Sequence, residues 1–497
     1  MSISLTYKSK FLKKAEDEWY RNPEWIPIPN ISTDEQVLYS VIRVDNDTSG
    51  GTILNEYGIR VIGTGTISVD WGDGIIETLT TNVAKYHQYS YSACTNLTSM
   101  GYKQCLLKIT STGNITQINN GFTNARSYKI PKVLDIVANL PNITTLDNFV
   151  YSNNNGVAAN RCEYVERVWI KNYIPSASMN YMFSTCYKLK SIILHIGDAT
   201  VLTSAFRDCV SLSNLDNVTI DSISTTSLSA TFQGSSKLQY SPSWLKLCTP
   251  TILADTFNGC YSITDVEFGD ISSVGDCGEL FYNCYTLRTL KYSGNFTPTI
   301  IYRMFNGCYK LCCVNGSPVI TIDCSDLTST SNQMQTFNNC NEITGVVLTG
   351  RTSILDSTLT STFQNCYNCE YINISFDFNC IGKSANNIFT NCRKLKTIDI
   401  NCSGVINVST MFGTNTMFEL ESIRIRNLLP AATGADVVAN FQYTSMSRDA
   451  LIQLFNDLPD RTSLTAGTIN ITGTLGTPNL IQADRDIALN KNYTITG

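Results

Sequence analysis

The segment FTNCRKLKTIDI, at residues 389–400, contains the pattern from which the fold can be predicted. Its phenylalanine is followed by cysteine three residues later, leucine six residues later and isoleucine nine residues later, and the end of the segment alternates between apolar and polar residues. This alternation is typical of a β-strand with one buried face. The pattern occurs ten times, starting at Phe183, Phe206, Phe232, Phe257, Phe281, Phe305, Phe337, Phe363, Phe389 and Phe412.

The copies are regularly spaced, with intervals of 23 to 26 residues and one of 32. Such a unit holds one short strand and one turn, and it cannot bury its apolar residues alone. Successive units must therefore stack, with right-handed crossovers between parallel strands. We predict a solenoid over residues 113–440 in which one parallel sheet runs along the repeats.

The repeat F-x-x-C-x-x-L-x-x-I, often preceded by methionine as in Met304-Phe305, resembles the BspA-like leucine-rich repeat. Residues 183–426 carry the pattern, and Phe122 and Phe149 indicate degenerate earlier copies. The resemblance implies a repeat architecture that is used mostly for surface display and adhesion and has no catalytic signature.

Cysteine occupies the third position after the phenylalanine in eight copies, and Ser235 and Asn415 take its place in the other two. In stacked turns these cysteines should form a buried ladder of small apolar side chains. Neighbouring Cβ atoms would lie farther apart than the ~3.8 Å that a disulfide prefers. We therefore expect reduced thiols and a fold that needs no disulfide.

For two closely spaced cysteine pairs, metal binding or reactivity is an alternative to a packing role. Cys366 and Cys369 have the spacing of zinc ligands, but Cys366 belongs to the ladder, Cys369 replaces the repeat leucine, and the sequence places no second pair or histidine beside them. Cys312 and Cys313 follow a repeat leucine, which favours packing over chemistry. We predict neither a metal ion nor a cofactor.

Residues 31–112 lack the repeat and contain short apolar runs separated by Gly, Asn and Asp, which indicates a small antiparallel β-domain. The segment ISVDWGDG at residues 67–74, followed by Tyr86-His87-Gln88-Tyr89, resembles a PKD-type immunoglobulin-like sandwich. Gly72 and Gly74 permit a tight turn, and Trp71 can fill the core. We interpret His87 as a structural residue.

One calcium motif lies between two strand-like runs. Asp45-Asn46-Asp47-Thr48-Ser49-Gly50, with Glu56 at the twelfth position, has the carboxylate spacing of an EF-hand loop. Because the flanking helices are missing, a hairpin turn is the favoured interpretation, and a bound cation stays the alternative.

The two ends of the chain differ from its middle. Residues 1–30 contain Trp19, Trp25 and three prolines, and this segment is too short to bury the tryptophans in a core of its own. We therefore predict a docking arm whose indole rings pack on a partner. Residues 441–497 predict a helix from Ser447 to Pro459, strands at 468–472 and 493–496 and a helix at 483–489, which together form a cap that covers the last sheet edge.

The predicted fold is thus mostly β, with an N-terminal immunoglobulin-like sandwich, a leucine-rich-repeat solenoid of short parallel strands and a small α+β cap. Outward positions of the solenoid strands carry both signs of charge, and they are candidates for binding. Together with Trp19 and Trp25, the candidate binding residues are Asp216, Glu267, Lys291, Asn373, Asp399 and Arg424.

Composition narrows the possible functions. The 497 residues include 36 Lys and Arg against 41 Asp and Glu, with no dense basic cluster, which argues against nucleic acid as a partner. The sequence has neither an apolar run of about 18 residues nor the apolar core of a signal peptide near its start, so we expect no membrane span and a protein made in the cytoplasm. The two histidines, His87 and His195, fall in different domains, which argues against a catalytic centre of the Ser-His-Asp or Cys-His type.

The order of arm, W-G-D-G domain and repeats is similar to that of virion structural proteins of tailed bacteriophages. The resemblance implies a non-enzymatic fibre or decoration protein that docks on other virion proteins through its N-terminal region and holds its repeats toward a host-surface protein or glycan. One alternative is a cell-surface leucine-rich-repeat adhesin, which would require export. A second is a glycan-degrading phage rod with paired carboxylates on neighbouring turns.

Overall fold

The computed structural model describes residues 19–46, 55–122, 132–150, 163–327, 335–350, 353–355, 360–379, 387–401, 411, 417–426 and 438–497. The fold is mostly β and contains a β-solenoid of about eleven turns, which confirms the predicted fold class. Two α-helices lie in the described residues, α1 (Arg448–Asp457) and α2 (Gln482–Leu489). Short 3-10 turns occur at Ser243–Leu247 and Thr477–Asn479.

The strands are, in chain order, β1 (Val37–Val44), β2 (Glu56–Gly63), β3 (Ile67–Asp70), β4 (Ile76–Leu79), β5 (Lys85–Gln88), β6 (Asn96–Leu97), β7 (Lys103–Ser111), β8 (Ile115–Phe122), β9 (Val133–Asn139), β10 (Arg167–Ser178), β11 (Ser191–Val201), β12 (Val218–Ile223), β13 (Asp265–Asp270), β14 (Thr289–Ser293), β15 (Cys313–Val314), β16 (Val319–Asp323), β17 (Gly345–Thr349), β18 (Ser353–Leu355), β19 (Tyr371–Asn379), β20 (Thr397–Asn401), β21 (Ser422–Arg426), β22 (Val438–Asn440), β23 (Gly467–Asn470) and β24 (Tyr493–Thr496).

The chain divides into two compact units. The first comprises Met1–Gly197 and Cys209–Ile220, and the second comprises Asp198–Asp208 and Asp221–Gly497. One sheet, most of whose strands belong to the first unit, has the strand order β12-β11-β10-β9-β1-β7-β3-β4, with β6 on β7, and a second sheet has the order β5-β2-β8. β1 is antiparallel to β7 and β9, whereas β10 is parallel to β9. The first parallel strands therefore belong to the same sheet as the antiparallel ones.

The predicted domain boundary at residue 112 needs correction. β8 begins at Ile115 and pairs with β2 from Gly58 to Gly63, so the antiparallel region extends past that boundary. The W-G-D-G segment behaves as predicted: Trp71 is fully buried, and the Asp70 carboxylate accepts a hydrogen bond from the Gly72 amide at 2.9 Å.

The prediction of an arm free to dock is wrong for residues 19–30. Trp25 is only 3% exposed and packs against Val41, Tyr102 and Leu134, and its Nε1 donates to the Tyr102 hydroxyl at 3.2 Å. Trp19 packs on the edge of the same cluster. The segment needs no core of its own, because it completes the core of the first unit. Residues 1–18 lie outside the described residues.

A buried ion pair fixes this segment. The carboxylate of Asp135 in β9 is fully buried and accepts hydrogen bonds from Arg21 Nε at 2.7 Å and from both Nε and Nη2 of Arg167. Arg21 Nη1 also donates to the Trp25 carbonyl at 3.1 Å. A buried carboxylate requires such compensation, and two guanidinium groups supply it here.

The prediction that all the thiols are reduced is also wrong. Cys94 and Cys105 are bonded, with Cα atoms 5.9 Å apart. Neither residue belongs to the ladder. They lie in the antiparallel region, where β7 and the chain before β6 bring two side chains face to face, so the argument from parallel side chains does not apply to them.

The second unit stacks its repeats as predicted, although its strands form several sheets instead of one. They are β13-β14-β15, β16-β17-β19-β20-β21 with β18 on β19, and β22-β23-β24, all of them parallel. The aliphatic residue nine positions after the phenylalanine keeps its register, because Val346, Ile372 and Ile398 are consecutive partners, and Ile398 then pairs with Ile423 of β21.

The repeat phenylalanines form the core of the second unit. From Phe206 to Phe389 neighbouring rings lie 5.0 to 6.0 Å apart, with interplanar angles of at most 22°. Phe412 and Asn415 lie outside the described residues. Each ring fills the space between two turns, so each turn is stable only with its neighbours.

Two left-handed residues flank each phenylalanine of the stack. In the turn of Phe257 they are Asp255, with φ of 59°, and Gly259, with φ of 75°; in the turn of Phe389 they are Asn387 and Asn391. Positive φ favours Gly, Asn and Asp. This requirement explains the Asn and Gly residues that directly precede the ladder cysteines.

The ladder thiols are hydrogen-bond donors as well as small buried groups. Their Sγ atoms lie 3.0 to 3.2 Å from the carbonyl of the repeat phenylalanine one turn earlier, in Cys209, Cys260, Cys284, Cys308, Cys340, Cys366 and Cys392. Ser235 makes the same bond to Phe206 at 2.6 Å. Serine can therefore replace cysteine in that copy because it also donates.

The C-terminal elements agree closely with the sequence. The Ser447 side chain caps α1 by accepting from the Ala450 amide at 3.2 Å, and α2, β23 and β24 lie within a residue or two of their predicted limits. Among the described residues β22, β23 and β24 form a parallel sheet of their own, and Asp457 of α1 pairs with Arg424 of β21, the last strand of the preceding sheet.

Candidate binding surface

The outward positions of the solenoid strands form a column in the second unit. Val347, Asn373, Asp399 and Arg424 are consecutive register partners, and Glu267 is the partner of Lys291. The predicted strand residues of this unit thus share one side of their sheets.

Most charges in this column are neutralised within the protein. Glu267 pairs with Lys246 at 2.7 Å and Asp399 with Arg426 at 2.6 Å. Arg424 makes two hydrogen bonds to Asp457 of α1, at 2.6 and 3.2 Å, which also raise the pKa of its guanidinium. Arg424 therefore fixes the helix on the sheet. Asn373 donates to the Tyr371 hydroxyl at 2.8 Å, and Lys291 is exposed.

The remaining candidates lie elsewhere. Asp216 was predicted to lie in a strand, but it is exposed in the turn before β12. Trp19 and Trp25 pack within the first unit. The structure does not join these three residues to the column in the second unit.

A row of exposed tyrosines is the feature that the sequence reasoning missed. The rings of Tyr261 and Tyr285 stack with centroids 4.9 Å apart, and those of Tyr285 and Tyr309 with centroids 5.2 Å apart, at interplanar angles of 5° and 14°. Tyr261 is 45% exposed and Tyr309 is 38% exposed. We call Tyr261, Tyr285 and Tyr309 the tyrosine row.

The sequence contained a signal for this row. Tyrosine directly follows the ladder cysteine in five of the ten copies, as Tyr187, Tyr261, Tyr285, Tyr309 and Tyr367. In stacked turns a recurrent position becomes a continuous row, and the position after a buried cysteine falls on the surface. Partial burial, together with the two neighbouring phenols, raises the pKa of Tyr285.

Amide side chains form a second row two residues before the tyrosine position. Asn365 donates to Asn339 at 2.8 Å, and Asn391 donates to Asn365 at 2.6 Å. At the equivalent position of an earlier turn, a Cβ on Gly259 would lie 4.0 Å from the Tyr261 ring. Small or amide residues therefore border the tyrosine position.

Cys366 and Cys369 are buried thiols and not metal ligands. Burial raises the pKa of Cys369 to about 12 and raises the pKa of Cys366 well above the ordinary value of a thiol. Their Sγ atoms face the carbonyls of Tyr371 and Phe337. A zinc site would require thiolates and further ligands, and no group of three His, Cys, Asp or Glu residues suited to a metal occurs in the described residues. Cys312, predicted to be a packing residue, is exposed instead.

The calcium motif lies mostly outside the described residues. Its first carboxylate, Asp45, pairs with Arg43 at 2.8 Å and with Lys132. Burial alone would raise the pKa of Asp45, but the hydrogen bonds from Lys132 and Arg43 lower it. Lys132 and Arg43 thus already pair with the carboxylate that a metal cation would need as a ligand.

Both histidines pack against aromatic rings. His87 stacks on Trp71 with ring centroids 4.5 Å apart, and its Nε2 lies 2.8 Å from the Asp73 carboxylate. His195 packs edge to face on Tyr173 with centroids 4.8 Å apart. Within the described residues, none of the helices is long and apolar enough to span a membrane.

Comparison with known families identifies the repeats. A model of the BspA type leucine rich repeat region matches six copies, over residues 120–239, 158–276, 213–327 and 317–430. These matches together cover more than half of the sequence. The chain belongs to the BspA-type leucine-rich repeat family. The matches begin before Phe149, which confirms that this BspA-type protein has repeats ahead of Phe183.

Solved structures with some similarity are leucine-rich repeat proteins and receptors. The T. pallidum leucine-rich repeat protein TpLRR is 17% identical, covers 46% of this chain and 83% of its own, and has a TM-score of 0.24. The plant peptide hormone receptor RGFR1 in complex with RGF2 is 10% identical, covers 76% and 70%, and has a TM-score of 0.20. TLR13 in complex with ssRNA13 is 10% identical, covers 72% and 68%, and has a TM-score of 0.17. Among curated proteins, none matches the chain in sequence.

The BspA-type family and its fold are typically binding scaffolds without enzymatic activity. A repeat protein of this kind is suited to binding another protein or to adhesion. The question for this chain is therefore which of its surfaces makes the contact.

Proposed function

We propose that this BspA-type protein is a non-enzymatic scaffold that binds a protein partner through its tyrosine row. The stacking of Tyr261, Tyr285 and Tyr309 on the surface of the second unit is the observation that carries the proposal. Exposed aromatic side chains in a contiguous group are typical of interaction sites.

Three physical features support this choice. Tyrosine contributes a large apolar ring and a hydroxyl, and it is enriched among the residues that dominate interface energies. Stacking already restricts the motion of these rings, so the tyrosine side chains would lose little entropy when a partner binds. The sheet column, by contrast, has most of its charges paired within the chain, for example Asp399 with Arg426.

The test replaces Tyr261, Tyr285 and Tyr309 together with serine. Partners are isolated from the native source with the tagged full chain and measured by quantitative mass spectrometry. We expect the partner bound by the wild-type protein to fall at least tenfold, with an unchanged circular dichroism spectrum. A matched control carries serine at Tyr20, Tyr240 and Tyr443, which are exposed tyrosines outside the row. Equal loss in both variants, or no loss in the row variant, would overturn the proposal.

We further propose that the protein is a virion structural protein of a tailed phage, a fibre or decoration, assembled in the host cytoplasm. The proposal rests on the order of the W-G-D-G segment and the repeats, and on the resemblance of the antiparallel region to a PKD-type immunoglobulin-like domain. Trp25 is buried and unavailable as an anchor, so we assign docking to exposed apolar residues of the first unit, such as Leu97 and Met100.

Mass spectrometry of purified particles tests this location. The expected result is a fixed number of copies per particle that survives high-salt washing. Labelling of the protein on intact cells that release no particles would favour the cell-surface adhesin instead. Release of reducing sugar ends from host glycans by the purified protein would favour the glycan-degrading alternative.

A further inference from the structure

The C-terminal region, residues 438–497, contains a buried arginine whose charge is not paired. Arg461 follows α1 and is only 1% exposed. Its Nε and Nη2 donate to the Thr465 carbonyl at 3.0 and 2.9 Å, while its Nη1 has no hydrogen-bond partner. The guanidinium group cannot lose its proton in a protein, so the positive charge stays inside.

A buried tyrosine lies beside this arginine. Tyr493, the first residue of β24, is 2% exposed, and its hydroxyl also has no hydrogen-bond partner. Both side chains pack against Gly467. A Cβ at that position would lie 2.5 Å from ring carbons of Tyr493 and 3.4 Å from Cδ of Arg461. Two unsatisfied polar groups therefore occupy the same part of the interior.

Among the described residues no carboxylate forms an ion pair with Arg461. Residues 438–497 are all described, and none of their carboxylates lies within 4.0 Å of the Arg461 nitrogens. The adjacent Asp460 is exposed and accepts from the Thr462 amide at 2.8 Å. Nearby, Lys491 adds a second cation, whose Nζ donates to the carbonyls of Asn456 and Leu458 at the end of α1.

An unpaired buried charge is costly, and proteins compensate it with an opposite charge. We propose that a small inorganic anion binds in the interior of this region, accepting hydrogen bonds from Arg461 Nη1 and the Tyr493 hydroxyl. A single water molecule is the competing occupant, because it could satisfy both groups but would leave the charge uncompensated. The anion stabilises the packing of β23 and β24 and is independent of the tyrosine row.

The test measures amide hydrogen exchange of β23 and β24 in the full chain. The protein is titrated with chloride, and separately with inorganic phosphate, at constant ionic strength maintained with a bulky organic buffer anion. Binding to the folded form should slow exchange of these amides in a saturable way, by about 100-fold when the anion reaches 100 times its dissociation constant.

Variants separate the anion from water. Arg461→Met should abolish the anion dependence, and Tyr493→Phe should weaken it at least threefold while leaving the strand packing intact, which keeps the test informative if the arginine variant does not fold. Arg303→Met, which removes a cation paired with Glu279 elsewhere in the second unit, serves as the control. No saturable effect in the wild-type protein would mean that water fills the site and would overturn the proposal. An equal effect in wild-type and Tyr493→Phe protein would show that the anion binds elsewhere, and would overturn it as well.

Discussion

The repeats of the second unit and the antiparallel region of the first unit are stabilised in different ways. Each repeat makes the same contacts with its neighbours: a stacked phenylalanine ring and a thiol that donates to a carbonyl one turn away. The antiparallel region depends on single contacts between distant residues, such as Arg21 with Asp135 and Trp25 with Tyr102. Stability is therefore distributed along the repeats and concentrated at a few points in the antiparallel region.

Alkaline pH should separate the two regions most strongly. Burial raises the pKa of six ladder thiols in the second unit, from Cys260 to Cys392, far above their values in the unfolded chain. Their contribution is complete below pH 9 and is lost as the pH rises, because the unfolded thiols ionise first. At pH 10 each thiol costs about 1.4 kcal/mol, so the second unit should lose roughly 8 kcal/mol.

Urea unfolding at pH 7, 9 and 10, monitored by hydrogen exchange, measures this loss in each unit. The antiparallel region of the first unit, where Cys94 and Cys105 are bonded to each other, should change much less. Equal loss in both units would show that the ladder thiols do not control the difference.

The next largest loss of stability is expected from a core substitution in the repeats. Phe305→Ala should cost about 3–5 kcal/mol, because it removes ring contacts with Phe281 and Phe337 and leaves a cavity between turns. Hydrogen exchange should increase in the adjacent turns as well. Phe305→Leu, which keeps most of the volume, is the control, and a melting curve that does not move would show that the ring does not support its neighbours.

A comparable substitution in the first unit should act on the whole antiparallel region. Trp25→Ala should cost about 3–5 kcal/mol through lost burial against Val41 and Leu134. Exchange should rise together in β1, β7 and β9, since these strands share that core. Thermal unfolding and residue-level exchange test this, with the exposed Tyr20→Ala as control. Normal stability of the variant would restore the docking-arm interpretation.

The smallest expected change in stability comes from replacing a ladder cysteine. Cys308→Ser should change stability by less than about 1 kcal/mol, because Ser235 shows that a hydroxyl can make the same hydrogen bond. Cys308→Val loses the donor to Phe281 and should cost about 1 kcal/mol more than serine. Chemical denaturation of both variants provides the comparison. A valine variant more stable than the serine variant would mean that the thiol acts only as an apolar group.

The same contrast explains what the sequence could predict. In the repeats the main contacts join fixed positions of neighbouring turns, so the spacing of Phe257, Cys260 and Ile263 is sufficient to assign the core, the ladder and the register. Ser447 and Pro459 similarly define α1 through local signals. The tyrosine row was also readable, as the recurring Cys-Tyr pair.

Contacts between distant residues could not be read from spacing. Asp135 meets Arg21 and Arg167, which lie 114 and 32 residues away in sequence, and no pattern links these positions. The burial of Trp25 and the bond between Cys94 and Cys105 depend on how the antiparallel strands fold. The register of Asn373, Asp399 and Arg424 agrees with their predicted strand positions, but their pairing, such as Arg424 with Asp457 of α1, required the structure.

Tyrosine footprinting of the protein in its native assembly tests the central claim, that the tyrosine row is a binding surface. The intact assembly and the free protein are nitrated under identical conditions, and modification is quantified at each tyrosine by mass spectrometry. Tyr261 and Tyr309 should react in the free protein and become protected in the assembly, while Tyr240 and Tyr443 should react equally in both. Equal modification of Tyr261 and Tyr309 in the two states would contradict it.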